Sequence, residues 1–184
     1  MRKLQSLRPL IRTIPPKTPF HRITSNIMSR TVSIIVYTSR LFPAHWALWI
    51  PSQADAGIGK RVHATGDARV GFEVVFDRNY DIEHTGRQHQ LVPLANVLEA
   101  FIDEASCTVG PLSSECRPCD KIEEVALRVP APGPSLVASS SNTPRHRVPI
   151  KNCQTWLAEL VGKLIEEGVM DDEARTTISQ VPKN

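Results

Sequence analysis

The chain has 184 residues, 41% of them hydrophobic, and a formal net charge of +3. That length fits one domain with some left for a tail and loops, and the apolar content is enough for a core. The mild charge gives no ground for a nucleic-acid binder, fifteen prolines and few aromatics argue against a helical bundle, and no apolar run approaches the ~20 residues that span a bilayer.

Residues 1–30 differ from the rest. They hold Arg2, Lys3, Arg8, Arg12, Lys17, Arg22 and Arg30 and no acidic residue. An Arg-rich, acid-free start is the mark of a mitochondrial transit peptide, but Pro9, Pro15, Pro16 and Pro19 break any amphipathic helix there. The favoured expectation is a basic disordered extension, or a start upstream of Met28. With four cysteines and no secretory signal, the predicted compartment is reducing and cytoplasmic. The mitochondrion is the alternative if residues 1–27 form a transit peptide.

Thr31 to Tyr37 is β-branched and apolar and predicts a strand. Ala44 to Ile50 predicts a second, apolar on both faces, with His45, Ala47 and Trp49 on one and Trp46, Leu48 and Ile50 on the other. Lys60–Thr65 and Gly71–Arg78 predict a third and fourth, the third carrying Arg61, His63 and Thr65 on one side. Gln88–Leu94 predicts a fifth, which Pro93 would place at an edge. A short helical turn over Leu94–Ile102 leads to a loop, 103–120, and Ile122–Val129 reads as a sixth strand. Residues 130–149, rich in Pro and Ser, form a long connection. After it, Asn152 can cap a helix on which Cys153, Trp156, Leu157, Leu160, Val161, Leu164 and Ile165 recur at helical spacing, with Gly168 as its stop. Beyond Asp171 the pattern is a polar tail with one weak helical turn. The domain organisation is thus an extension over 1–30, one domain over 31–170, and a tail over 171–184.

Cys153 falls in the first turn of that helix, on the stripe facing the core. The positive end of the helix dipole favours its thiolate; the alternative is a small buried hydrophobe, as lone cysteines often are. A thiol nucleophile needs a base, and the base needs a third polar group to fix its tautomer and ring angle. His45 and His63, on adjoining strands, are the candidates, and small Ala47 on the His45 face would let the helix approach. Their alternatives are a core histidine bonded to backbone and a strand-end histidine beside solvent. Trp46, Trp49 and Trp156 read as core packing. Arg61 and Arg87 can bind an anionic substrate or form part of a solvated face. Cys116-Arg-Pro-Cys119 has redox or zinc spacing, but Cys107 supplies no second pair and no strand-to-helix context follows. No metal or other cofactor is expected.

His45-Trp46-Ala47-Leu48-Trp49-Ile50, then Arg61-Val62-His63-Ala64, then Asn152-Cys153 before an apolar helix, resemble the lecithin retinol acyltransferase and H-Ras-like suppressor group. That group belongs to the circularly permuted NlpC/P60 papain-like proteins. The resemblance implies an α+β fold, with a Cys-bearing helix packed on a small antiparallel sheet. It also implies a Cys–His–His triad that forms an acyl-thioester, with Cys153 as nucleophile, His45 as general base and His63 as the orienting group. An oxyanion hole of backbone N–H groups at the helix start goes with it. The implied partner is a small-molecule or lipid-like acyl substrate. Where the group continues Asn-Cys with Glu-His, this chain has Gln154-Thr155; the loop between its histidines is longer, and no hydrophobic anchor follows the helix. From Thr31 onward the chain is also similar to small fungal proteins of unassigned function, some encoded near natural-product gene clusters. The leading expectation is a thiol acyltransferase or hydrolase. The rival is a non-catalytic accessory or binding protein of the same fold.

Overall fold

Ser29–Tyr37 (β1), His45–Pro51 (β2), Ile58–Asp67 (β3), Gly71–Asp81 (β4) and His89–Leu98 (β5) form the strands expected from the apolar and β-branched runs. They are described in a computed structural model covering residues 28–39, 41–108, 111–135 and 151–184. Residues 1–27 of the expected extension and most of the connection before Cys153 lie outside the described residues; the extension's last two residues, Ser29 and Arg30, belong to β1 instead, with Arg30 buried and paired with Glu99 and Glu104. A short strand, Ser113–Glu115 (β6), completes one six-stranded sheet of order β5-β1-β2-β3-β4-β6, and every neighbouring pair is antiparallel. Pro93 sits on β5 at the sheet edge, as expected, opposite Ser33 and beside an irregularity in the β1–β5 register.

The strands bury both faces, as the doubly apolar reading of β2 predicts. On one face Val32, Ile34, Val36, Trp46, Leu48, Ile50, Val62 and Phe76 meet the helices. On the other, Ile35, Tyr37, Ala47, Trp49, Tyr80 and Ile82 form a second, smaller cluster. The helices are Ala105–Thr108 (α1), Lys121–Arg128 (α2), Cys153–Glu166 (α3) and Glu173–Ser179 (α4). The architecture is α+β.

α3 lies on β2 and β3 and sets Trp156, Leu157, Leu160, Val161 and Leu164 into the main core. Each such side chain contributes about 1.5–3 kcal/mol by leaving water. Gly168 ends the helix with φ +70°, a conformation an L side chain resists.

Four readings change. Leu94–Leu98 continues β5, and only Glu99–Phe101 makes the helical turn expected over Leu94–Ile102. Ile122–Val129 is not a sixth strand: Asp120 accepts the Glu123 N–H as an N-cap, and Ile122, Val125 and Ala126 recur at helical spacing on the buried face of α2. The β-branched residues imitated a strand, but the cap and the spacing decide for a helix. The sixth strand lies instead in the 103–120 segment, where Ser114 pairs with Asp77. The residues after Asp171 are no detached polar tail either. α4 and the turn after it bury Ala174, Ile178 and Val181 in the main core.

A buried charge network ties α1 and α2 to the sheet. Lys60, fully buried on β3, pairs with Asp120, with Glu123 at 3.0 Å, and donates to Ser106 Oγ at 3.0 Å. Arg78 on β4 holds the same Glu123 carboxylate through two bonds of 3.1 and 2.9 Å.

Candidate active site

Asn152 caps α3 as expected. Its side-chain oxygen accepts the N–H groups of Gln154 and Thr155 at 3.0 and 3.2 Å, and Thr155 Oγ1 in turn accepts the Asn152 N–H at 2.8 Å. Cys153 is therefore held at the first helical position, 7% exposed. Burial raises its thiol pKa, and this outweighs the backbone N–H groups of Trp46, Gln154 and Cys153 itself, which favour the thiolate. The helix-start effect is present, but it does not leave a preformed thiolate, because the first turn is packed against the sheet.

His45 opens β2, and His63 lies in the middle of β3, buried rather than at a strand end beside solvent. His45 Nε2 and His63 Nδ1 are 2.9 Å apart, with the rings edge to face. His63 Nε2 is 3.0 Å from Asp77 Oδ2. Asp77 is gripped from three sides: by His63, by the Ser114 hydroxyl on its other oxygen, and by Arg61 through Nε at 2.8 Å and Nη2 at 2.6 Å. Burial pushes this carboxyl up, but the three donors together outweigh it and hold the group well below the usual carboxylate range. A carboxylate can only accept, so His63 Nε2 carries a proton. In neutral His63, Nδ1 then accepts from His45 Nε2–H, which leaves the lone pair of His45 on Nδ1. Burial first, and the charges of His63, Arg87 and Arg61 after it, lower the His45 pKa to about 3. His45 is thus a neutral imidazole at physiological pH.

Cys153 and His45 line one cavity of about 490 Å³ at the start of β2. Its walls are mostly apolar: Phe42, Pro43, Ala44, Ala68 and Phe72, with Gly66 at the β3–β4 hairpin. Asp67 and Asn152 add polar groups. The helix does not approach over Ala47, as the sequence suggested. Strand alternation puts Ala47 on the face away from α3, so His45 and Cys153 belong to opposite faces and meet around the end of the strand. Among the described residues no hydrogen bond joins Sγ to the His45 ring.

Two site residues carried no signal in their own segments. Asp77 is one; alternation along β4 places it on a sheet face, but only the register opposite Arg61 shows that it ends a chain of bonds from His45. Gln154 is the other: its side-chain amide donates to the carbonyls of Ala44 at 2.8 Å and Lys183 at 3.0 Å. Arg61 is not available for a substrate anion, since Asp77 and the Tyr37 hydroxyl, at 2.8 Å, occupy its guanidinium. Arg87 is exposed and lies over the Tyr37 ring, 4.4 Å from its centroid, and Tyr37 stacks on His45. Cys116 and Cys119 are exposed free thiols, while Cys107 is buried and its pKa is pushed up to about 11 by that burial. Among the described residues no cluster of three or more His, Cys, Asp or Glu is arranged to hold a metal ion.

No curated protein and no solved structure matches the chain. Residues 32–171, which contain Cys153, His45, His63 and Asp77, match the Family of unknown function (DUF6540). The chain belongs to that family.

Proposed function

We propose that this protein is a cysteine-dependent acyltransferase or hydrolase that works through an acyl-thioester on Cys153. One observation carries the reading: an aligned His45–His63–Asp77 chain of hydrogen bonds ends in the cavity that also holds the Cys153 thiol. The resemblance to the permuted NlpC/P60 acyltransferases supports it.

The cycle begins with a neutral thiol and a neutral imidazole. As sulfur attacks the carbonyl carbon of an ester, amide or thioester, His45 Nδ1 takes the thiol proton. The resulting imidazolium is steadied through His63 by the Asp77 charge. Backbone N–H groups at the start of α3 and at Trp46, which already act on the sulfur, stand where an oxyanion can be stabilised. Collapse expels the leaving group, which takes the proton from His45. Water, an alcohol or an amine then attacks the thioester carbonyl, gives its proton to His45, and frees the thiol. The apolar walls favour an acyl group without charge.

The test uses p-nitrophenyl octanoate as the probe, with mass spectrometry of the Cys153 peptide. The expected result is an octanoyl adduct on Cys153 that is absent in Cys153→Ala and forms about 100-fold more slowly in His45→Ala. Asp77→Asn, which removes the charge that orients His63, slows it in the same direction. Absence of the adduct at pH 7–9, or a rate indifferent to His45→Ala, overturns the proposal.

A second reading is a non-catalytic accessory or binding protein. The burial-raised Cys153 thiol and the missing bond to His45 favour it. In that case the cavity is a ligand pocket, and an uncharged apolar ligand such as octan-1-ol protects the Cys153→Ala variant from thermal unfolding as well as it protects wild type.

A further inference from the structure

Gln154 follows the candidate nucleophile and is 8% exposed, an unusual place for a long polar side chain on an apolar helix. Both amide hydrogens are committed, one to Ala44 O at 2.8 Å and one to Lys183 O at 3.0 Å. Lys183 O also accepts the Ala44 N–H at 2.9 Å, and the indole of Trp46 donates to Pro182 O at 2.9 Å. Three stretches far apart in sequence are thus joined at one point. Ala44 immediately precedes His45, Gln154 immediately follows Cys153, and the third stretch is the segment after α4.

The chemistry of this knot admits a glutamine and refuses a glutamate. Both acceptors are carbonyl oxygens, so the side chain has to be a donor twice over. An ionised carboxylate there would face two oxygens with no hydrogen to offer and would leave buried groups unpaired. No substrate needs to touch Gln154 for it to matter. The thiol and the imidazole are carried by opposite sheet faces with no direct bond between them, so their separation depends on how the start of α3 is held to the start of β2.

Resting on the acyl-thioester reading above, the geometry points to Gln154 as a positioning residue that sets the distance between Cys153 and His45 by clamping Ala44 and the Pro182–Lys183 segment to the first turn of α3. A misplacement of about 1 Å is enough to cost a large factor in rate.

The experiment reads Cys153 acylation by p-nitrophenyl octanoate between pH 5 and 9, with thermal melting alongside. The variants are Gln154→Met and Gln154→Glu, each alone and combined with His45→Ala. Gln154→Met is expected to slow acylation about tenfold in the wild-type background and not at all in the His45→Ala background, because the loss acts through His45. Gln154→Glu should match it at pH 8 and recover toward the wild-type rate at pH 5, where a protonated carboxyl can donate one hydrogen bond. A folded Gln154→Met with the wild-type rate, or with the same loss in both backgrounds, overturns the positioning role. Should Gln154→Met fail to fold, deletion of Lys183 and Asn184 removes one acceptor. It is then expected to give a smaller, His45-dependent loss, and an unchanged rate overturns the proposal. A wild type whose acylation ignores His45→Ala sinks the catalytic reading itself and this one with it. A His45-dependent wild type with an indifferent Gln154→Met sinks only the clamp.

Discussion

His45 resists protonation because its ring is buried and faces cations. Arg61 and Arg87 act on it from the same sheet face, and His63 adds to them, while Asp77 alone pulls the other way. The consequence for stability has a definite sign. The folded pKa is about 3 and the ordinary value 6.5, so between those limits the unfolded chain binds a proton that the folded chain refuses. This contribution is fully present above pH 6.5 and is lost as the pH falls, at about 1.4 kcal/mol per unit, or about 2 kcal/mol between pH 6.5 and 5. Asp77 works in the same sense, because its folded pKa is depressed as well, but in a lower window. Its contribution is present above the ordinary carboxylate value of 3.8 and is lost only below it, so it does not confuse that window. Urea unfolding at pH 7 and 5 checks this: His45→Asn should lose about 2 kcal/mol less than wild type on acidification. Equal losses in the two proteins would mean that His45 is solvated.

At the scale of the element, α3 is organised from its first turn. Asn152 and Thr155 satisfy each other's groups reciprocally, so the helix begins at one residue and Cys153 cannot slip to a neighbouring position. Asn152→Ala removes a side chain that serves two backbone N–H groups and is expected to cost about 1 kcal/mol in urea unfolding. If Cys153 acylation slows as well, by more than the loss of folded protein accounts for, the cap also sets the thiol. α2 follows the same logic: the Asp120 cap that starts it also binds Lys60.

Across the whole molecule, the two faces of the sheet divide the labour. The helix face is apolar with one buried ionic knot, and the other face carries the polar chain from Tyr37 and Arg61 through Asp77 to the histidines. The knot is balanced by design of its partners: Lys60 and Arg78 share Glu123, and Asp120 completes the set. Removing one member leaves charge buried without compensation. Lys60→Met is therefore expected to lower unfolding stability by about 3 kcal/mol, although methionine fills similar volume. A loss below about 1 kcal/mol in urea would show that Asp120 and Glu123 find water or protons instead.

Much of this was legible in the residues, because the relevant forces act over a few positions. Apolar and β-branched runs marked five strands, the Asn152 cap and the spacing of Trp156, Leu160 and Leu164 marked α3, and Gly168 marked its end. Cys153, His45 and His63 were selected from local context and family likeness, and the fold brings the two histidines into contact and both His45 and Cys153 to one cavity. What was not legible depends on contacts between distant segments. The Asp77 partnership needs the β3–β4 register, the task of Gln154 needs Ala44 and Lys183 beside it, and the burial of α4 needs the core it covers. The acidity of Cys153 belongs with these. A helix start favours the thiolate wherever it occurs, but the dielectric around the sulfur is set by everything packed against it, and here the packing prevails.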